Sequence, residues 1–226
     1  MILRALLILA TVLTALSPLS SPAQDRRAAD GRVTVASDTH PWASIGRLNV
    51  AGYRIRRHCT GTLVAPDLVL TAHHCLKALG DGDWAAPDKV HFLAGYARGN
   101  FTAHRRASGY IPLGPDSTLV RLSAPIDLPV LPIYAGATPA AGAALAQAGY
   151  SGDRSHVLTV DPACRFLGLR DGGRWRHDCE AVAGDSGSPL LIDGSDGLAI
   201  AAIHVGRTAG TGDAEPVSAA AISAAR

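Results

Sequence analysis

The chain has 226 residues, 47% hydrophobic and 18% charged, which is too apolar for a disordered segment and long enough for one large core or two small ones. A formal net charge of +2 without any Lys/Arg run gives no basis for nucleic-acid binding. Four cysteines are too few to build a disulfide-dominated miniprotein, though an even number permits two bridges.

In chain order, residues 1–23 come first. Arg4 begins a short positive region, Ala5 to Leu16 is an unbroken apolar run, and Ser21-Pro22-Ala23 offers small residues for cleavage. The run is shorter than the roughly 20 residues that span hydrocarbon, so it reads as a cleaved signal peptide and not an anchor. The product is expected to be secreted, to an extracellular or periplasmic space, with no membrane association after signal removal. Export favours disulfides. Residues 24–32 are polar and aperiodic and read as a tail or a pro-segment. From Val33 onward, short β-prone runs are cut by Gly, Pro, Asp and Asn. The clearest are Ser44–Val50, Tyr53–Arg57, Thr60–Val64, Leu68–Ala72, Val90–Ala94, Ser117–Leu122, Ala144–Tyr150, Pro189–Ile192 and Leu198–Val205. Regular short strands predict an all-β barrel or sandwich. Ala124-Pro125-Ile126-Asp127-Leu128-Pro129 is the best connection between two halves, dividing the chain into residues 33–125 and 126–226. Helix signals are scarce; a short C-terminal helix is expected with Pro216 in its first turn.

Three segments carry chemistry. Gly184-Asp185-Ser186-Gly187-Ser188-Pro189 sets a serine between glycines. A serine hydroxyl needs an adjacent base, and a tight glycine turn can aim backbone N–H groups at a developing oxyanion. The same residues also make ordinary surface turns. Ser188 stands where the nucleophile elbow of α/β-hydrolases needs glycine. Leu70-Thr71-Ala72-His73-His74-Cys75 ends an apolar strand on two candidate bases. A zinc site would want more ligands at close spacing, and the other seven histidines are scattered, so no metal is expected. Asp116-Ser117-Thr118-Leu119-Val120-Arg121-Leu122 puts an acid before an alternating strand, where it could accept the second N–H of an imidazole. Asp127 competes for that role, and Asp also opens strands in plain turns.

Together the three segments resemble the chymotrypsin-like (trypsin-type) serine proteases. Thr71-Ala72-His73-His74-Cys75 is similar to that family's Thr-Ala-Ala-His-Cys, and because the catalytic histidine there directly precedes the cysteine, the resemblance assigns the role to His74. The order His74, Asp116, Ser186 is also that family's. Within it, His40-Pro41-Trp42-Ala43-Ser44-Ile45-Gly46-Arg47-Leu48, Ala148-Gly149-Tyr150-Ser151 and His177-Asp178-Cys179 resemble the bacterial glutamyl-endopeptidase-like branch.

The resemblance implies two six-stranded antiparallel β-barrels with the active site between them, and a secreted endopeptidase acting on peptide or protein substrates without metal or cofactor. Ser186 would be the nucleophile, His74 the base, Asp116 its orienting acid, and the N–H groups of Gly184 and Ser186 the oxyanion hole. It also implies the pairings Cys59–Cys75 and Cys164–Cys179. For the primary pocket it offers two residues. Glu180 lies six residues before the serine, where trypsin-like enzymes carry a pocket acid, and His204 matches the wall histidine of the glutamyl branch. Ala181 replaces a supporting threonine of that branch, which argues against a strict Glu preference, and His204 could equally be a buried strand histidine with a satisfied ring. Asp185 is similar to the acid that meets a newly formed N-terminus in trypsin-type zymogens, and Arg32-Val33 has the form of an activation site; otherwise Asp185 only caps a turn. The rival readings are a catalytically silent protease-like binding protein and an exported esterase.

Overall fold

In the segment Ile45–Ala51, Leu48 and Val50 are buried while Arg47 and Asn49 between them reach solvent. This period of two makes a strand with one face in a core. The computed structural model describes residues 30–51, 56–78 and 84–226. The expected signal peptide lies outside the described residues, as do 53–55 of the expected strand Tyr53–Arg57. Six strands close the first barrel: β2 (Ile45–Ala51), β3 (Arg56–Ala65), β4 (Leu68–Ala72), β5 (Val90–Ala94), β6 (Ala103–Pro112) and β7 (Ser117–Leu122). Their order around the ring is β2-β3-β4-β7-β6-β5, every pairing is antiparallel, and Leu48, Leu63, Leu70, Phe92 and Leu119 fill the core.

The second barrel comprises β8 (Ala144–Gly149), β9 (Thr159–Leu169), β10 (Trp175–His177), β11 (Pro189–Gly194), β12 (Gly197–Thr208) and β13 (Thr211–Pro216), closed by the β8–β9 pairing. Phe166, Trp175, Leu190 and Ala202 pack around the Cys164–Cys179 disulfide. Among the described residues the fold is therefore all-β, with two closed six-stranded antiparallel barrels and one short α-helix.

Several elements depart from the expected ones, each for a visible reason. The runs Tyr53–Arg57 and Thr60–Val64 are not separate strands, because β3 continues through Arg57, His58 and Cys59. β9 carries Pro162, which disfavours a central strand. Its extra residue is accommodated where two residues of β8, Leu145 and Gln147, face the longer stretch from Cys164 to Asp161, a bulge that takes Pro162 out of the ladder. β13 reads Thr-Gly-Asp-Ala-Glu-Pro, yet buries Asp213 and Glu215 because partners from elsewhere satisfy both. Pro216 ends β13 and does not open the helix. The helix α1 (Ala219–Ala224) is capped by Ser218, whose hydroxyl accepts the Ala221 N–H.

The termini cross over. The short β1 (Val33–Thr34) precedes the first barrel but pairs with β9 of the second. The C-terminal turn follows the second barrel but reaches the first, where Arg121 donates to the Ala225 carbonyl and Arg226 to that of Val64. Each barrel is thus strapped by chain belonging to the other.

Candidate active site

β4 ends at Ala72 and the chain turns at once into a single 3-10 turn, His73–Leu76. The Cys59–Cys75 disulfide ties that turn to β3, with Cα atoms 6.0 Å apart. The two histidines separate there. The His73 ring packs edge-to-face with Trp84, the ring centroids 4.4 Å apart. The His74 ring turns to Asp116, its Nδ1 lying 2.9 and 3.1 Å from the two carboxylate oxygens. The His74 backbone N–H also donates to Asp116 at 3.0 Å, and the His73 N–H to the Asp116 carbonyl. Nδ1 facing a carboxylate fixes the proton on that nitrogen and leaves Nε2 as the acceptor. Burial acts to raise the Asp116 carboxyl, but the hydrogen bonds and charge of His74, with Arg174 nearby, hold it below the usual carboxylate range.

Asp116 is itself held by a residue without any sequence signal. Glu215 of β13 accepts the Asp116 N–H at 2.6 Å and the Ser117 hydroxyl at 2.7 Å, bringing the second barrel to the acid of the first. The approach needs Gly114, where a Cβ would lie 2.0 Å from Glu215 Oε1.

The Ser186 turn is docked on the first barrel through Thr60, again unmarked in the sequence. The Thr60 N–H donates to the Ser186 carbonyl at 2.9 Å, its hydroxyl donates to the Gly184 carbonyl at 3.1 Å, and the hydroxyl accepts the Tyr150 N–H. Gly187 sits so close that a Cβ would meet the Thr60 carbonyl at 2.2 Å and Thr71 Oγ1 at 2.4 Å. Glycine there is a steric condition for seating Ser186 beside the His74 turn, where Cys75 Sγ lies 3.7 Å from the Ser186 carbonyl oxygen. Among the described residues nothing accepts the N–H groups of Gly184 and Ser186, and the Ser186 hydroxyl and His74 ring are not hydrogen-bonded to each other. Such bonds are commonly long before substrate binds.

Asp185 points inward, accepting the Ser151 hydroxyl at 2.8 Å and the Val182 N–H at 2.9 Å; burial, with only neutral donors in direct contact, pushes its carboxyl up to about 6. Arg32 is buried, its guanidinium held by Asp30 and Asp153, and Val33 is already paired in β1. Glu180 is exposed, and its backbone N–H donates to Asp161. His204 and Ala181 are buried. The His204 N–H donates to the Ser188 carbonyl and its own carbonyl accepts the Gly187 N–H, so β12 is bonded on both sides of this residue to the nucleophile turn. The structure therefore places the buried His204 next to the Ser186 turn, while Glu180 is exposed. His177 Nε2 lies 3.0 Å from His204 Nδ1. Burial first, then the charge of Arg207, lowers His177 to about 4; burial, His177 and Arg207 lower His204 to about 3. The sulfurs near His74 are joined to each other and offer no thiolate to a metal.

Residues 59–201 match the family profile described as "Trypsin-like peptidase domain". No curated protein sequence matches the chain. Among solved structures, a Glu endopeptidase in complex with MPD superposes with a TM-score of 0.71 at 20% identity, covering 86% of this chain and 94% of that one. The protease Anisep from Arthrobacter nicotinovorans gives 0.61 at 18% identity, covering 77% and 90%. The Vibrio cholerae VesB protease gives 0.65 at 19%, covering 82% and 63%.

Proposed function

Because the chain belongs to the trypsin-like peptidase domain family, we propose that it is a secreted serine endopeptidase working through Ser186, His74 and Asp116. The observation that carries this reading is the His74–Asp116 pair at 2.9 Å, set against a serine turn that Thr60 docks across the two barrels. With its Nδ1–H hydrogen-bonded to Asp116, which stays ionised, His74 takes the Ser186 proton at Nε2 as the serine oxygen adds to the substrate carbonyl. The tetrahedral oxyanion is received by the N–H groups of Gly184 and Ser186. His74 then passes the proton to the leaving amine, and the acyl group remains on Ser186. Water, deprotonated by the same imidazole, releases the acid. Only these side chains and backbone groups take part, with no metal or cofactor.

The primary pocket is read by His204, steadied by His177, with Arg207 reaching across to the Ala181 carbonyl at 3.1 Å. Imidazole N–H groups and a guanidinium suit an acidic side chain, a preference that also fits the printed name of the Glu endopeptidase of similar fold. The signal-like segment and two disulfides support export. The test is a diverse peptide library incubated with purified protein and with Ser186→Ala. Cuts clustered after Glu or Asp, absent with the variant, are expected; cleavage that survives in the variant overturns the nucleophile.

Activation belongs to the same reading. Cutting after Arg32 would free Val33, whose new ammonium is the cation the buried Asp185 carboxyl lacks. Active material is then expected to begin at Val33, and N-terminal sequencing that reads Gln24 overturns this step.

A further inference from the structure

Away from the triad, the outer face of the first barrel holds a cavity of about 480 Å³ lined by Arg47, Arg57, His91, His104, His156 and Phe101 among others, and no carboxylate lies in its described lining. The strand registers explain how these groups come together. Arg47 of β2 faces Leu93 of β5, which faces His104 of β6. Two residues along, Asn49 faces His91, which faces Arg106. Basic groups thus occupy two adjacent cross-strand rows on one face. Arg57 closes one end, and His156 comes in from the loop between β8 and β9.

The groups are spread too widely for one small anion. Neighbouring strands lie about 4.8 Å apart and alternate residues about 7 Å apart along a strand, so the basic face spans about 10 Å by 7 Å. Phosphate or a single carboxylate would satisfy only one corner of it. An extended chain with acidic side chains on successive same-side positions matches the spacing. The arginines supply charge, and His91 and His104, whose rings meet at 2.9 Å, supply N–H donors. Phe101 is 48% exposed at the edge, and Tyr96 carries Arg47 over its ring at 5.3 Å, giving such a chain apolar and aromatic surface.

The cavity is next to the catalytic turn. The Arg57 guanidinium donates to the carbonyls of Cys75 and Lys77, the residues directly beyond His74. The following residue, His58, has its ring 3.0 Å from the Tyr150 carbonyl, where a Cβ on Gly184 would meet it at 2.6 Å. A polypeptide held in the cleft therefore has the basic face within reach of its continuation.

The geometry points to an exosite on the first barrel that holds an acidic segment of the polypeptide substrate, outside the residue pair being cut. This rests on the peptidase reading for the identity of the bound chain, but not for the binding itself.

The test uses the full chain carrying Ser186→Ala, so that binding is read without cleavage. A fluorescein-labelled peptide containing six glutamates is compared by anisotropy with its glutamine counterpart, at low and physiological salt. Binding at least tenfold tighter for the glutamate peptide, weakening as salt rises, is expected. The same substitution pair attached to a short cleavable sequence should lower KM for wild type with kcat unchanged. His104→Glu and Arg106→Glu, which add repulsion without touching the triad, should each remove the preference while hydrolysis of the unextended substrate stays at the wild-type level. That hydrolysis also certifies folding. Equal affinity for the two peptides overturns the exosite even if proteolysis is confirmed. Millimolar inorganic phosphate that displaces the peptide completely would show a small-anion site and overturn the extended-segment assignment. Glutamate-selective binding in a protein that cleaves nothing would leave the exosite standing and remove the peptidase reading.

Discussion

Each barrel brings one histidine beside the Ser186 turn, His74 half-exposed and His204 buried, and the two are held in opposite ways. His74 of the first barrel meets a carboxylate, whereas the buried His204 of the second meets another buried imidazole. A carboxylate partner stabilises an imidazolium, which is what the proposed mechanism asks of His74 when it takes the serine proton. An imidazole partner in a buried site penalises it, so His204 stays a neutral donor and acceptor. On the proposed reading, the same side chain serves as a base or as a fixed recognition group according to what faces its second nitrogen.

The sharpest way to break that contrast is to remove the carboxylate while keeping its shape. Asp116→Asn should lower kcat by about 10⁴-fold at neutral pH, because the amide cannot hold the His74 proton on Nδ1. Activity within tenfold of wild type would show that His74 and His204 do not differ in the way argued. A smaller effect is expected one contact further out. Glu215→Ala frees the Asp116 N–H and the Ser117 hydroxyl, and should cost about 10²-fold in kcat through misplacement of the acid, with KM little changed. Glu215→Gln, which keeps one acceptor oxygen, should recover part of it. An unaltered kcat in Glu215→Ala, beside a large loss in Asp116→Asn, would limit Glu215 to structure alone.

What was legible in the sequence follows this division. Local patterns carried the first barrel well, since β2, β4, β5 and β7 alternate or run apolar between turn residues. The candidates His74 and Ser186 were legible from constrained neighbours, a cysteine beside the histidine and glycines beside the serine, whereas Asp116 had no such mark and was picked over Asp127 only through the family resemblance. The second barrel was harder. β9 hides its Pro162 in a bulge, and β13 buries two acids, so neither announces itself by period or polarity. Thr60 and Glu215 were invisible for a related reason. Their work is done across the barrel interface, 126 and 99 residues from the Ser186 and Asp116 backbone groups they bind, and nothing local distinguishes them. Glu180 was suggested by spacing alone, and spacing could not tell that its side chain stays in solvent.

The smallest expected effect sharpens the contrast through stability instead of rate. His177 and His204 have folded-state values of about 4 and about 3, below the ordinary 6.5 of imidazole. Above pH 6.5 both are neutral folded or unfolded and have no effect. As pH falls below 6.5 the unfolded chain takes up two protons that the folded pair refuses, so stability drops until about pH 3 to 4. Asp185 has the opposite sign. Its carboxyl is raised to about 6, so between pH 6 and 3.8 the folded state takes a proton that the unfolded one does not, offsetting about one of the two. Near pH 5 the balance of these three groups is a loss of stability as pH falls, and His58, His91 and His104, each lowered chiefly by burial, add to it in the same direction. Denaturant melts of the Ser186→Ala protein between pH 7 and 4.5 read this slope. His177→Gln should flatten it, and Asp185→Asn should steepen it. If both variants moved the slope the same way, the buried imidazole pair would not be the neutral, proton-refusing wall that sets His204 apart from His74.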